Sequence, residues 1–546
     1  MKRWIYSEEP ENLTVEDLSQ QLNINKTLAK LLVMRGVVTF EGAKQYFRPS
    51  LEHLHDPLLM KDMDKAVERL GRAIQEKENI LIYGDYDVDG TTSVSLMVRF
   101  LRNLTDHIQY YIPDRDTEGY GISDQGIEWA HEHDYSLIIS VDCGIKAVDK
   151  IQKAKDYAID FIVCDHHTPG EVLPPAIAVL DPKVEGCNYP YKELSGCGIA
   201  FKLLQGLCEV NKWNTEGLFS MLDLVAVSIA ADIVPLTGEN RTLCQLGMEV
   251  LKDSKNVGIK ALLNMAAIKE INITSIVFGL APRINAAGRM DHASQAVEML
   301  LTTSKHAATT IVAQIEKHNN MRRSFDLSIR DQALSTIKKD QTLISRKTTV
   351  LYNPEWHKGV VGIVASRCIE TYYRPTIILT KSQGKVTGSA RSVPGYNVYN
   401  AIDECAHLLE KFGGHKYAAG LTMKEENVQS FMDQFEAVVA KTIDDELLIP
   451  RQNIDTSLSF DEIDKKFINI LNQMAPHGPG NNSPVFEAKN VYVCGKIKIM
   501  KESHIKFEAA QEGSNQRFEA VGWDMADYGK DIERNRKMTL AFSLSE

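Results

Sequence analysis

The stretch Ile80-Leu-Ile-Tyr-Gly-Asp-Tyr-Asp-Val-Asp-Gly-Thr91 decides how the chain folds. Ile80, Leu81 and Ile82 form a short apolar run without helical period, and Gly84 follows at once. That pattern is a buried strand entering a tight turn. The turn releases three carboxylates at alternate positions, Asp85, Asp87 and Asp89, before Ser93 to Leu101 take up a helical pattern. Acids this crowded repel one another, and a cation is the direct remedy. A solvated acidic loop, or an aspartate capping the helix, would use the same residues. Recurrence of the pattern further along the chain weighs against the isolated loop.

Ile108–Ile112 ends at Pro113-Asp114-Arg115, and Leu137–Val141 ends at Asp142-Cys143-Gly144. Phe161–Cys164 ends at Asp165-His166-His167, and Ile177–Leu180 ends at Asp181-Pro182-Lys183. Short apolar strands alternating with helical segments predict an α/β fold with a doubly wound, mostly parallel sheet. Such sheets bind ligands at the carboxyl ends of their strands, where these acids fall. Asp232 closes the apolar helix Leu222-Asp-Leu-Val-Ala-Val-Ser-Ile-Ala-Ala-Asp232, a setting that does not tolerate an unpaired acid unless it caps something nearby.

Outward from this core, residues 1–75 read as a helical region without chemistry. Residues 76–290 form the domain built on the sheet. Its end carries Arg283, Asn285 and Arg289 among small residues, a composition that lets phosphate oxygens approach a guanidinium. Residues 291–345 read as a long connecting helix with basic side chains. A second, smaller α/β domain follows over 346–450. Its Gly-rich turns hold Ser389, Arg391, Gly413, Gly414 and His415, a composition suited to cradling phosphate. Residues 451–546 turn to four alternating strands and predict an OB-like β-barrel, one strand short of five, with Glu546 as a truncation point. No apolar run reaches the length of a membrane span and no signal-peptide core follows Met1, which predicts a cytoplasmic protein. Nine scattered cysteines without CxxC pairs read as free thiols. The formal net charge of −11 argues against coating nucleic acid through bulk charge and leaves room for a local basic channel.

The motifs Tyr83-Gly-Asp-Tyr-Asp-Val-Asp-Gly, Val141-Asp-Cys-Gly, Asp165-His-His, Ala231-Asp-Ile-Val-Pro, Arg283-Ile-Asn-Ala-Ala-Gly-Arg and Gly413-Gly-His-Lys-Tyr-Ala-Ala-Gly occur in that order. Together they resemble the single-strand-specific exonuclease branch of the DHH phosphoesterase superfamily, from about residue 50 to the end. The resemblance implies two divalent ions, manganese or magnesium, and 5′-to-3′ hydrolysis of single-stranded DNA in repair and recombination. It implies that Asp87 and Asp142 hold one ion and that Asp89, Asp142, His166 and Asp232 hold the other. Asp85, Asp165 and His167 then lie behind the ligands or face the substrate. Arg391, Gly414, His415 and the Arg283 cluster would grip the strand, and a helicase or a single-strand-binding protein would be a partner. Small-substrate members of the superfamily usually carry a His at the position of Tyr83, a departure that favours the exonuclease branch. A hydrolase of short oligonucleotides and a catalytically dead single-strand-binding relative are the alternatives. The barrel argues against the first and the intact acid and His set against the second.

Overall fold

The computed structural model describes residues 2–534 and 537–545. Glu546 lies outside them. The expected parallel sheet is present, with Ile108–Tyr111, Ile80–Gly84, Leu137–Val141, Asp160–Cys164 and Ala178–Leu180 side by side in that order. Gly84 pairs with Val141, Val141 with Cys164, and Cys164 with Leu180. The strands therefore end level. The next residues, Asp85, Asp142, Asp165 and Asp181, leave the sheet together along one rim.

Both faces of the sheet are covered, which is why Ile80–Gly84 and Leu137–Val141 are buried at every position. Ile80, Ile82, Leu137 and Ile139 pack with the helices Val88–Leu101 and Gly196–Asn211. Leu81, Tyr83, Ile138 and Phe161 alternate to the other face, against Ile127 and Ile151.

The region read as 1–75 divides in the structure. Helix Met63–Glu76 packs on the sheet domain through Met63, Ala66 and Leu70. The earlier helices Asn12–Leu22 and Lys26–Met34 instead bury Val15, Leu18, Leu28 and Leu31 against Phe460, Phe467 and Phe486 of the C-terminal domain. Strand Arg3–Tyr6 also pairs in parallel with Arg451–Ile454. Arg241 ties these parts to the sheet domain. Its guanidinium donates to the carbonyls of Tyr46, Met474 and Ala475 and lies 3.9 Å from the Tyr46 ring centroid.

The connecting segment holds the helices Ser294–Leu301 and Lys305–Lys339 and the short Gln341–Ser345; Ser304 caps the second by accepting from Ala307 N. The second domain holds a five-stranded mixed sheet ending in the hairpin Lys411–His415 and Ala418–Met423. In the C-terminal domain the four legible strands are Phe486–Met500, His504–Gln511, Arg517–Gly522 and Met538–Phe542. The missing fifth is only Thr456–Ser457, paired in parallel with Phe486 and Glu487. Among the described residues, no helix is long and apolar enough to cross a membrane.

Candidate active site

The rim acids are held by the chain around them. A Cβ on Gly90 would lie 2.3 Å from the Asp85 carbonyl oxygen, so only glycine lets the helix start this close to the strand end. Asp87 caps that helix, accepting from Gly90 N at 3.1 Å. Asp89, in the first turn, accepts from Gly196 N at 2.7 Å, Cys197 N at 2.8 Å and Ser228 Oγ at 2.7 Å. The N-terminus of Gly196–Asn211 thus fixes one carboxylate of the site. Asp142 turns the chain with φ of 61°, a conformation that aspartate tolerates better than most residues. A Cβ on Gly196 would lie 2.7 Å from the Asp142 Cβ.

His166 is the hub. Its Nε2 lies 3.2 Å from Asp142, 3.6 Å from Asp232 and 3.9 Å from Asp89. Asp165 has a different task, accepting from Ile145 N, His166 N and His167 Nδ1 at 2.9, 2.8 and 2.7 Å. It orients the two histidines and leaves His167 Nε2 3.2 Å from the Tyr120 hydroxyl.

The electrostatics follow this division. Burial drives the carboxyl of Asp85 well above its usual range, and Asp87 adds to it. Burial, then Asp89 and Asp87, do the same to Asp142. Asp232 is pushed up to about 8 by burial and by Asp89. Asp87 also rises, through burial and Asp89. Burial acts on Asp165 too, but donation from His167 overrides it and holds the carboxyl at about 2. Burial pulls His167 down, yet Asp165 keeps it at about 9.

Among the described residues, both oxygens of Asp85, Oδ1 of Asp142 and both ring nitrogens of His166 have no hydrogen-bond partner. Buried acids left unsatisfied beside one imidazole ask for a hard divalent cation, and carboxylate oxygens with nitrogen suit manganese or magnesium. Asp89, His166 and Asp232 converge within 4.8 Å, as do Asp142, His166 and His167. Asp87 belongs to neither group.

Beside the acids lies a cluster of opposite sign. The Arg115 guanidinium sits 5.3 Å from the centroid of the Tyr86 ring, on the residue between Asp85 and Asp87. Arg289 is pulled down to about 9 by burial and by Arg115, Arg391 and Arg322. Burial and Arg115 lower Arg391 as well, and its Nη1 donates to Ser389 Oγ at 2.7 Å. None of Arg115, Arg289 and Arg391 is among the ion pairs of the described residues. Half-buried cations held together without a carboxylate suit an anionic ligand. The hairpin of the second domain reaches the same place, with His415 parallel to His167 at 6.4 Å between ring centroids.

Comparison with known proteins places this geometry. The DHH family N-terminal domain matches residues 79–229, the DHHA1 domain 345–441, and the RecJ OB domain 454–546. The single-stranded-DNA-specific exonuclease RecJ of Escherichia coli is 32% identical over 539 residues, covering 95% of this chain and 92% of that protein. The chain belongs to the RecJ family. RecJ of Bacillus subtilis is 36% identical over 544 residues, covering 98% of this chain and 68% of that protein. The crystal structure of RecJ in complex with Mn2+ from Thermus thermophilus superposes with a TM-score of 0.84 at 27% identity, covering 100% of this chain and 76% of that one.

Against the RecJ-type motifs, Tyr83 has a clear role where small-substrate relatives carry histidine. Fully buried, its hydroxyl accepts from Ser123 N at 3.0 Å and lies 3.2 Å from Ser123 Oγ. It anchors the 113–123 segment that presents Arg115, which follows the strand end at Pro113, and Tyr120, which has no periodic or motif signal in the sequence. Arg283 differs from its neighbours in having an acidic partner. It donates to Glu316 at 2.6 and 3.3 Å and to Gly279 O at 2.7 Å, a strut to helix Lys305–Lys339. The side chain of half-buried Asn285 makes no hydrogen bond among the described residues. Gly413 and Gly414 lie on the exposed strand of the hairpin, and φ of 145° at Gly414 brings Ala418 O within 2.4 Å of where a Cβ would be.

Proposed function

We propose that this chain is a metal-dependent exonuclease that hydrolyses single-stranded DNA from its 5′ end. One observation carries the reading: unsatisfied buried acids and half-buried arginines without ion pairs among the described residues meet beside Tyr86, as a phosphodiester held by divalent cations requires. The 5′-to-3′ direction and a role in cytoplasmic DNA repair and recombination, beside a helicase or a single-strand-binding protein, rest on the family resemblance.

Asp89, Asp142, His166 and Asp232 would hold one divalent ion, and Asp87 and Asp142 would hold the second, with His167 beside them. Manganese or magnesium bound there supplies Lewis-acid stabilisation of the phosphodiester and lowers the proton affinity of water. Asp165 orients His166 and His167. Arg115, Arg289 and Arg391 take the terminal phosphate, with Ser389 and Gly414 around it. Tyr86 and Tyr120, edge to face with centroids 6.1 Å apart, flank the terminal nucleotide. The C-terminal domain grips the strand further out through exposed Trp523 and Tyr492.

The deciding assay gives the full chain manganese and a long oligonucleotide labelled at either end. Mononucleotides released from the 5′ label of single strands, and little release from blunt duplex, are expected. Internal cuts, or release without metal, would contradict the reading.

Arg391→Ala should weaken binding about tenfold for every sequence alike and reduce the slope of log affinity against log salt by about one. Arg283→Ala should instead lower the melting temperature, because it strands Glu316, and leave the salt slope unchanged. The same titrations of labelled single strands at several salt concentrations check both. Deleting the C-terminal domain would bare the apolar face of Asn12–Leu22 and Lys26–Met34, so its role is better tested by Trp523→Ala. Loss of one stacked base should weaken long strands about tenfold and spare dinucleotide hydrolysis. Equal loss on both lengths would assign Trp523 to the catalytic fold.

A further inference from the structure

A cavity of about 600 Å³ opens beside the acids, with Tyr120, His167 and His415 on its wall and none of the cradle arginines. Tyr120 stands at the boundary, since its ring also meets Tyr86. Ile122, Ile145 and Val148 give the cavity an apolar side suited to a base or sugar. Lys146 from the rim of the sheet and Lys411 from the second domain line it too, both exposed and neither in an ion pair among the described residues. Four carboxylates share the wall. Asp165 is spent on Ile145 N, His166 N and His167 Nδ1. Glu118 is spent on Tyr111 and Ser123, and Asp124 on Lys150 and Lys153. Only Asp149 is left opposite the two free lysines.

An exonuclease that cuts behind one terminal nucleotide must also seat the nucleotide on the far side of the bond. We propose that this cavity is that second subsite, and that Lys146 and Lys411 hold the phosphate following the second nucleotide. The inference rests on the arginines being the cradle of the terminal phosphate. With that phosphate on the Arg115 side of Tyr86 and the scissile group over the acids, the chain continues past Tyr120 and His167 into the cavity. Its walls come from both domains, so the strand is clamped between the 143–150 segment and the Lys411–His415 strand.

A 5′-phosphorylated dinucleotide has no phosphate beyond its second nucleoside, whereas a trinucleotide has one. Among 5′-phosphorylated oligothymidylates of two to five nucleotides, kcat/KM should therefore rise about tenfold between two and three, the worth of a charge-assisted phosphate contact. In the double variant Lys146→Ala/Lys411→Ala that rise should shrink to about twofold or less, mainly through KM. Lys441→Ala, an exposed lysine of helix Val428–Thr442, should keep the wild-type step. A step at another length, a step that the double variant retains, or equal losses on two and three nucleotides would overturn the subsite. Absence of hydrolysis at every length would remove the exonuclease reading, and the subsite with it. Hydrolysis without the step removes the subsite alone.

Discussion

Asp142→Asn is expected to lower manganese-dependent hydrolysis by at least about 10³-fold while the protein stays folded and still binds single strands. Asp142 is the carboxylate to which both proposed ion positions are tied, and an amide offers one neutral carbonyl in its place. A loss of several kcal/mol of charge stabilisation corresponds to that factor. Asparagine is chosen because it tolerates the φ of 61° at this position, which alanine would strain. Strand binding should persist because Arg115, Arg289 and Arg391 are separate from the acids. The metal-free melting temperature should rise slightly, since Asp89 and Asp87 both push against the Asp142 charge. Near-normal turnover would contradict the roles given to Asp87, Asp89, His166 and Asp232 as well.

The second large effect is an inverted dependence of stability on pH. Asp232 at about 8, with Asp85, Asp87 and Asp142 raised, means that the folded protein binds more protons than the unfolded chain. Its stability is therefore lost as pH rises from the unfolded carboxylate value of about 4 to about 8. His167, held at about 9, adds to the loss at the upper end, because the folded state keeps a proton that the unfolded imidazole releases. Asp165, held at about 2, acts oppositely, but its contribution is complete by about pH 4. A tenfold change in a group's proton affinity on folding is worth about 1.4 kcal/mol. In chelator the melting temperature should fall between pH 5.5 and 8.5. Magnesium or manganese should raise it by an increment that grows with pH, because the cations neutralise the same carboxylates. Thermal melts with and without metal read this directly, and a metal-free melting temperature that climbs over the window would speak against unsatisfied acids.

The rim was legible because it depends only on strand ends: apolar runs stopping at acids become neighbours once parallel strands pair in register. The phosphate-binding residues were harder. Arg283 and Arg289 sit in the same small-residue stretch, and what separates them is Glu316, 33 residues away in sequence on another helix. Arg115 showed only its place after a strand end and Tyr120 gave no pattern, since a loop held by Tyr83 from 40 residues upstream has no period of its own. The packing of the first helices on the C-terminal domain also lay beyond reading. An amphipathic stripe says that a face is buried and leaves its partner, here more than 400 residues away, unspecified. The fifth barrel strand escaped because two residues carry no alternation.

Manganese binding at equilibrium, followed by calorimetry or by the loss of the free-ion spin signal, tests the central claim most directly and needs no turnover. Two ions per chain are expected for the natural sequence, with at least one lost or weakened about 100-fold in Asp142→Asn. Binding of no ion at millimolar manganese, or of two ions with unchanged affinity in Asp142→Asn, would contradict the account.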